Sequence, residues 1–231
     1  MSFLDVSLWT PSQAEAAMTG LRIVHIFGLV LGLGAATLLD LLLIRYVRSE
    51  PIAREQYATV KFASHVVTAG LAILWITGFG FLAHYYAFTP EKLGNPKIYA
   101  KMSIVLILTL NGIFIHKAVL PYMRQRIGHH FFDGMNRWRR TTFLASGAIS
   151  ATSWYVPMLL GKIPQFNFVV SAGTILLGYA LLLTAAILAV RALAQAAFPE
   201  HPTVTIPRDE YEALLSGLGR RLSPLRSASP A

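Results

Sequence analysis

Five long apolar stretches constrain the fold of this chain more than any other feature. They cover roughly residues 20–46, 58–86, 98–122, 138–161 and 168–196. Each is longer than the about 20 mostly apolar residues that an α-helix needs to cross a bilayer. Hydrophobic residues make up 55% of the chain and charged residues 13%, a composition too apolar for a water-soluble domain. We therefore predict an all-α, polytopic membrane bundle of about five transmembrane helices.

The charged loops predict the topology, because lysine and arginine gather in the cytoplasmic loops of membrane proteins. Basic residues are concentrated after the first span, after the third span and in the C-terminal tail. This pattern predicts an N-terminus outside and a C-terminus inside. It also accounts for the net charge of +9, so we expect no nucleic-acid partner. The expected location is the bacterial inner membrane, with the lipid bilayer as the immediate partner.

The composition changes after the last span. Residues 1–197 hold all five spans and are predicted to form the transmembrane bundle. Residues 198–231 are rich in proline and contain a short amphipathic segment near 208–222, which predicts a partly mobile cytoplasmic tail. The N-terminus lacks a basic stretch followed by an apolar core, so no cleaved signal peptide is expected. The absence of cysteine excludes disulfides and thiolate-bound clusters.

Ionisable side chains inside the spans are the candidate functional residues, because a charge within the bilayer is costly. At a rise of ~1.5 Å per residue they fall into two layers. His25 and Lys101 lie in the outer layer, and Asp40, His65 and His116 lie in the inner layer. The spacing from His25 to Asp40 equals that from Lys101 to His116, so the polar edges of the first and third spans can face each other across one seam.

A strip of small residues follows His25 along the first span. Gly28, Gly32 and Ala36 share one helical face with His25 and Asp40. Such a strip allows another helix to approach closely, as in small-xxx-small packing. It equally allows a flat macrocycle to lie against the backbone. The strip alone does not decide between the two.

The outer layer has two interpretations. His25 is either the axial ligand of a haem, with Gly28 and Gly32 beneath the macrocycle, or a buried histidine bonded to a neighbouring helix. Lys101 either extends its ammonium toward the membrane surface or pairs with haem propionates or an acidic substrate.

The inner layer has three interpretations. His65 and His116 lie at the same depth on adjacent spans, which suits bis-histidine ligation of a second haem. They are equally placed to form a metal site or a proton relay with Asp40. The third interpretation is structural pairing of polar side chains.

Two short segments resemble those of one membrane protein family. The run His25-Ile-Phe-Gly28 and the segment Ile98-Tyr-Ala-Lys101-Met are similar to the first helix and the lysine segment of the membrane-bound, haem-b-type protoporphyrinogen IX oxidases. The copper-resistance-D-like membrane proteins share that architecture. The resemblance covers roughly residues 20–122. It implies a haem-b-binding membrane fold in which His25 and Lys101 serve haem binding and activity.

The leading hypothesis is a membrane-embedded b-type haem protein, with one or two haems, that transfers electrons or oxidises a lipophilic substrate. Its expected partners are quinol or a porphyrin-like substrate, and it would act as a homo-oligomer or as a subunit of a membrane complex. The predicted iron ligands are His25, His65 and His116; the predicted cofactor-facing glycines are Gly28 and Gly32; and the predicted catalytic residues are Lys101 and Asp40. One alternative is a cofactor-free subunit or assembly factor that docks helices through its glycine strip. The other is a metal or proton carrier built on the inner layer.

Overall fold

The computed structural model describes residues 9–48 and 51–197, and within them the chain is almost entirely helical. The α-helices of this part are α1 Pro11–Arg48, α2 Arg54–Phe88, α3 Pro96–Phe114, α4 Leu120–Gln125, α5 Arg137–Lys162 and α6 Ala172–Ala197. A π-helical turn, Ile115–Val119, joins α3 to α4. The chain divides into two units, Met1–Leu193 and Ala194–Ala231, and every site residue belongs to the first. The predicted tail, 198–231, lies outside the described residues.

Five helical segments are long and apolar enough to cross a membrane. They are Pro11–Tyr46, Arg54–Phe88, Pro96–Gln125, Arg137–Lys162 and Ala172–Ala196. This confirms the prediction of an all-helical chain with five membrane-compatible helices. The helices extend beyond most of the predicted apolar stretches, because a helix continues into the interface after its apolar run ends.

The early start of α1 has a local cause. Thr10 and Gln13 cap the helix reciprocally: the Thr10 N–H donates to Gln13 Oε1 at 2.9 Å, and the Gln13 N–H contacts Thr10 Oγ1 at 3.4 Å. Pro11 follows at the first helical position, where its missing N–H costs nothing. The helix therefore begins at Pro11 rather than near residue 20.

The helices α1 and α2 form an antiparallel pair that meets through glycines. A Cβ added to Gly70 of α2 would lie 2.6 Å from the Cα of Gly32 and 2.8 Å from the carbonyl oxygen of Gly28. Real Cβ atoms do not approach backbone atoms this closely. The backbones of the two helices are therefore in direct contact, as in small-xxx-small packing.

The second half of the bundle is built on α3, α5 and α6. Its apolar core comprises Ala100, Ile104, Leu160, Ile175 and Tyr179. Polar side chains join these helices as well. The Ser146 hydroxyl donates to Asn111 Oδ1 at 2.8 Å, while Asn111 Nδ2 donates to the Ser146 carbonyl at 3.0 Å. The hydroxyls of Ser153 and Tyr179 lie 2.8 Å apart.

Candidate functional site

His25 is held in one orientation by α2. Its Nδ1 lies 2.7 Å from the Thr77 hydroxyl oxygen, which in turn lies 2.7 Å from the carbonyl oxygen of Ile73. A carbonyl oxygen only accepts, so the Thr77 hydroxyl donates to Ile73 and accepts from the Nδ1–H of His25. The neutral imidazole therefore keeps its lone pair on Nε2. A ring nitrogen fixed in this way is typical of a metal-binding histidine.

Lys101 lies near this histidine. The two residues come from α1 and α3, and they are close enough for the charge of Lys101 to act on the imidazole. Lys101 is partly buried, and it makes no hydrogen bond or ion pair with the residues that the structure describes. The structure thus brings together the two outer-layer residues singled out in the sequence and leaves the ammonium without an anion.

Lys97 is a third polar residue at this end of α3 and was not among the predicted site residues. Its side chain is only 5% exposed. Its Nζ donates to the carbonyl of Ile163 at 2.7 Å and to Oδ1 of Asn167 at 2.9 Å. It therefore fixes α3 to the connection between α5 and α6. The only indication of this role in the sequence is the position of Lys97 one helical turn before Lys101.

The structure corrects the predicted placement of Gly28 and Gly32 beneath a macrocycle. A Cβ on Gly28 would lie 2.7 Å from Cγ2 of Ile73, and one on Gly32 would lie 2.8 Å from Cζ3 of Trp154. Protein atoms from α2 and α5 thus cover this face of α1. The helix-packing interpretation accounts for the strip, and the predicted seam between the first and third spans does not run along it.

His65 and His116 lie side by side, with ring centroids 6.2 Å apart and ring planes at 71°. The Nδ1 of His65 donates to the carbonyl of Lys61 at 2.7 Å. The Nε2 of His116 lies 3.1 Å from the hydroxyl oxygen of Thr68, which itself donates to the Ser64 carbonyl at 2.9 Å. His116 Nε2 is therefore the donor in that contact. Each ring keeps one nitrogen with a free lone pair.

His116 also lies in the widened turn Ile115–Val119, where the N–H of Leu120 donates to the carbonyl of Ile115. Pro121 follows directly and cannot donate, and its ring would clash with the carbonyl four residues earlier in a regular helix. The wider turn relieves that clash. Such single π-turns occur frequently at functional sites.

Asp40 is not part of a metal-binding cluster. Within residues 9–48 and 51–197 no group of three or more histidine, aspartate or glutamate side chains is arranged to hold a metal ion. The alternative of a metal site formed by Asp40, His65 and His116 stays a prediction. Asp40 is partly buried and makes no hydrogen bond or ion pair within that same part of the chain.

Comparisons with known proteins find no counterpart for this arrangement. No protein-family model, no curated protein and no solved structure matches the chain. The likeness of residues 20–122 to the haem-b-type oxidases therefore stays a prediction that rests on two short segments.

Proposed function

We propose that the protein is a membrane-embedded b-type haem protein in which His25 binds the iron. The observation that carries the proposal is the hydrogen-bond chain from His25 through Thr77 to the Ile73 carbonyl. It orients the ring and leaves Nε2 free as a ligand, as hydrogen bonds to the other ring nitrogen do for metal-bound histidines. Electron transfer, or oxidation of a lipophilic substrate, is the proposed activity.

The outer-layer residues fit a haem by their chemistry. Haem brings an iron that takes imidazole ligands, and it brings two carboxylates. His25 offers the imidazole nitrogen, and Lys101 offers a cation that has no partner among the described residues. A lysine without a counter-charge inside a membrane bundle is costly, so an anionic group beside it would stabilise the bound state.

The chain and the cofactor would have separate tasks. The haem would supply one-electron redox chemistry when bound. Thr77 keeps the proton on Nδ1 of His25 and so fixes the tautomer. Lys101 would neutralise a carboxylate of the haem. Lys97, through its two bonds to the connection after α5, keeps the end of α3 in place.

His65 and His116 are the proposed ligands of a second haem. The support is that their rings lie together and that each has one nitrogen free for ligation. Asp40 is proposed to tune that haem or to relay protons. An N-terminus outside, a C-terminus inside, a bacterial inner membrane and a quinol or porphyrin-like partner complete the proposal.

The alternatives have less support. The docking of a partner helix on the glycine strip conflicts with the contacts of Gly28 and Gly32 inside the chain. The carrier lacks a three-ligand metal site in the described part of the chain. No observation favours either of them over the haem protein.

An absorption spectrum with a haem count tests the proposal. The protein, purified in mild detergent with hemin added and the excess removed, should show a Soret band that sharpens on reduction. His25→Ala should remove one haem equivalent, and the pair His65→Ala with His116→Ala should remove the other. His130→Ala is the matched control, because this histidine is exposed in the loop before α5. A folded protein that stays colourless after hemin addition would refute the haem hypothesis.

A further inference from the structure

A cleft of about 610 Å³ lies between the beginning of α1 and the end of α2. Its lining includes aromatic, charged and polar side chains, among them Trp9, Glu15, Arg22, His84, Phe88 and Lys92. None of these is a proposed haem residue. The volume falls in the range of about 300–1,000 Å³ that is usual for small-molecule sites.

The charged residues of the cleft have no charged partner among the residues that the structure describes. Arg22 and Lys92 supply two cations, and Glu15 supplies one anion. None of the three forms an ion pair with any residue that the structure describes. Lys92 lies 5.5 Å from the centre of the Tyr85 ring, a contact that leaves its N–H donors available. The cleft therefore offers donors for an anion and, separately, an acceptor for a cation.

We propose that this cleft binds a zwitterion that carries a phosphate and a primary ammonium. The phosphate would pair with Arg22 and Lys92, since arginine and lysine are the usual phosphate partners. The ammonium would donate to Glu15. This site is independent of the haem proposal, because it uses other residues and needs no metal.

The apolar lining favours a lipid over a soluble zwitterion. Trp9, Met18 and Phe88 complete the wall, and the cleft opens where two membrane-compatible helices end. Tryptophan is enriched at the level of the lipid headgroups. A phospholipid with an ethanolamine headgroup satisfies both the charges and the apolar wall.

Lipid retention by the full chain tests the site. The purified protein is delipidated and then incubated with phosphatidylethanolamine, phosphatidylcholine or phosphatidylglycerol, and the lipid that stays bound is counted by native mass spectrometry. Phosphatidylcholine has no N–H to donate, and phosphatidylglycerol has no cation. We expect phosphatidylethanolamine to bind about tenfold more tightly than either, the effect of one charge-assisted hydrogen bond.

Substitutions locate the binding. Arg22→Gln and Glu15→Gln should each weaken binding of phosphatidylethanolamine about tenfold. Arg54→Gln and Glu55→Gln are the matched controls, because these exposed residues lie at the opposite end of α2.

Two results would overturn the proposal. Equal retention of the three lipids would exclude a site that recognises the zwitterion, and equal losses in the cleft variants and their controls would place the lipid elsewhere. Displacement of the lipid by free phosphoethanolamine at micromolar concentration would support the charge recognition and assign the site to a soluble ligand.

Discussion

Gly70→Ala should loosen the pair formed by α1 and α2. The new Cβ would lie 2.6 Å from the Cα of Gly32, whereas ordinary contacts begin at 3.4 Å. The position of the Cβ is fixed by the backbone of α2, and the Cα belongs to the backbone of α1, so no side-chain rotation relieves the clash and the helices must separate by ~0.8 Å. A gap of this size removes about a quarter to a half of the contact energy of the facing atoms. Overpacking of this kind costs about 1–3 kcal/mol.

The measurement is the temperature at which half of the monodisperse protein is lost in detergent. One kcal/mol corresponds to about 2–4 °C in a chain of this size, so we expect Gly70→Ala to melt several degrees lower. Gly78→Ala is the control on the same helix, because a Cβ at Gly78 meets nothing within 4 Å. Equal melting temperatures for the two variants would refute direct backbone contact at Gly70. The separation should also weaken the bond from His25 to Thr77, two turns along α2.

Three further predictions follow from the hydrogen bonds. Thr77→Val removes the acceptor for Nδ1–H of His25 without a change of shape, and pyridine haemochromogen titration should show a haem affinity about 10–100-fold lower. Lys97→Met removes the two hydrogen bonds that the Lys97 ammonium donates to the Ile163 carbonyl and to Asn167 Oδ1; thermal melting should report a loss of about 1–3 kcal/mol. A double-mutant cycle on Asn111→Ala and Ser146→Ala should give a coupling of about 0.6 kcal/mol and at most about 1.7, the range for such pairs in membranes.

The number of helices was predictable because apolar length is a strong signal. A bilayer demands about 20 apolar residues in each span, and each of the five stretches exceeds that number. The ends of the helices were not predictable in this way. The apolar stretch marks the part of a helix that lies in lipid, and the helix itself can begin before that part. Thr10, Pro11 and Gln13 form the capping pattern that sets the start of α1, and that pattern lies outside the apolar stretch.

The faces of the helices were predictable, but their neighbours were not. Helical spacing placed Gly28, Gly32 and Ala36 on one side of α1, and the structure buries all three. Periodicity contains no information about which helix covers a face. Gly70 and Trp154 fill the strip, so the space predicted for a cofactor is occupied by protein.

The burial of Lys97 could not be predicted either, for the same reason. Its burial depends on the connection between α5 and α6, which supplies the Ile163 carbonyl and the Asn167 side chain. These partners lie more than 60 residues further along the sequence, and no local pattern predicts them. Lys101, by contrast, is a candidate from the sequence alone, because an apolar helix that carries a lysine is unusual wherever its neighbours lie.

The contrast between these two lysines is the strongest support for the proposed haem beside His25. The fold satisfies the ammonium of Lys97 with two short bonds, and it pairs Asn111 with Ser146 in both directions. The bundle can therefore satisfy its polar groups where their role is structural. Lys101 and the Nε2 atom of His25 have no partner among the described residues, although the chain has oriented the imidazole through Thr77. An imidazole nitrogen with a free lone pair beside an unpaired cation is costly for a helix pair without a cofactor. The proposed haem, which has both an iron and carboxylates, would offset that cost.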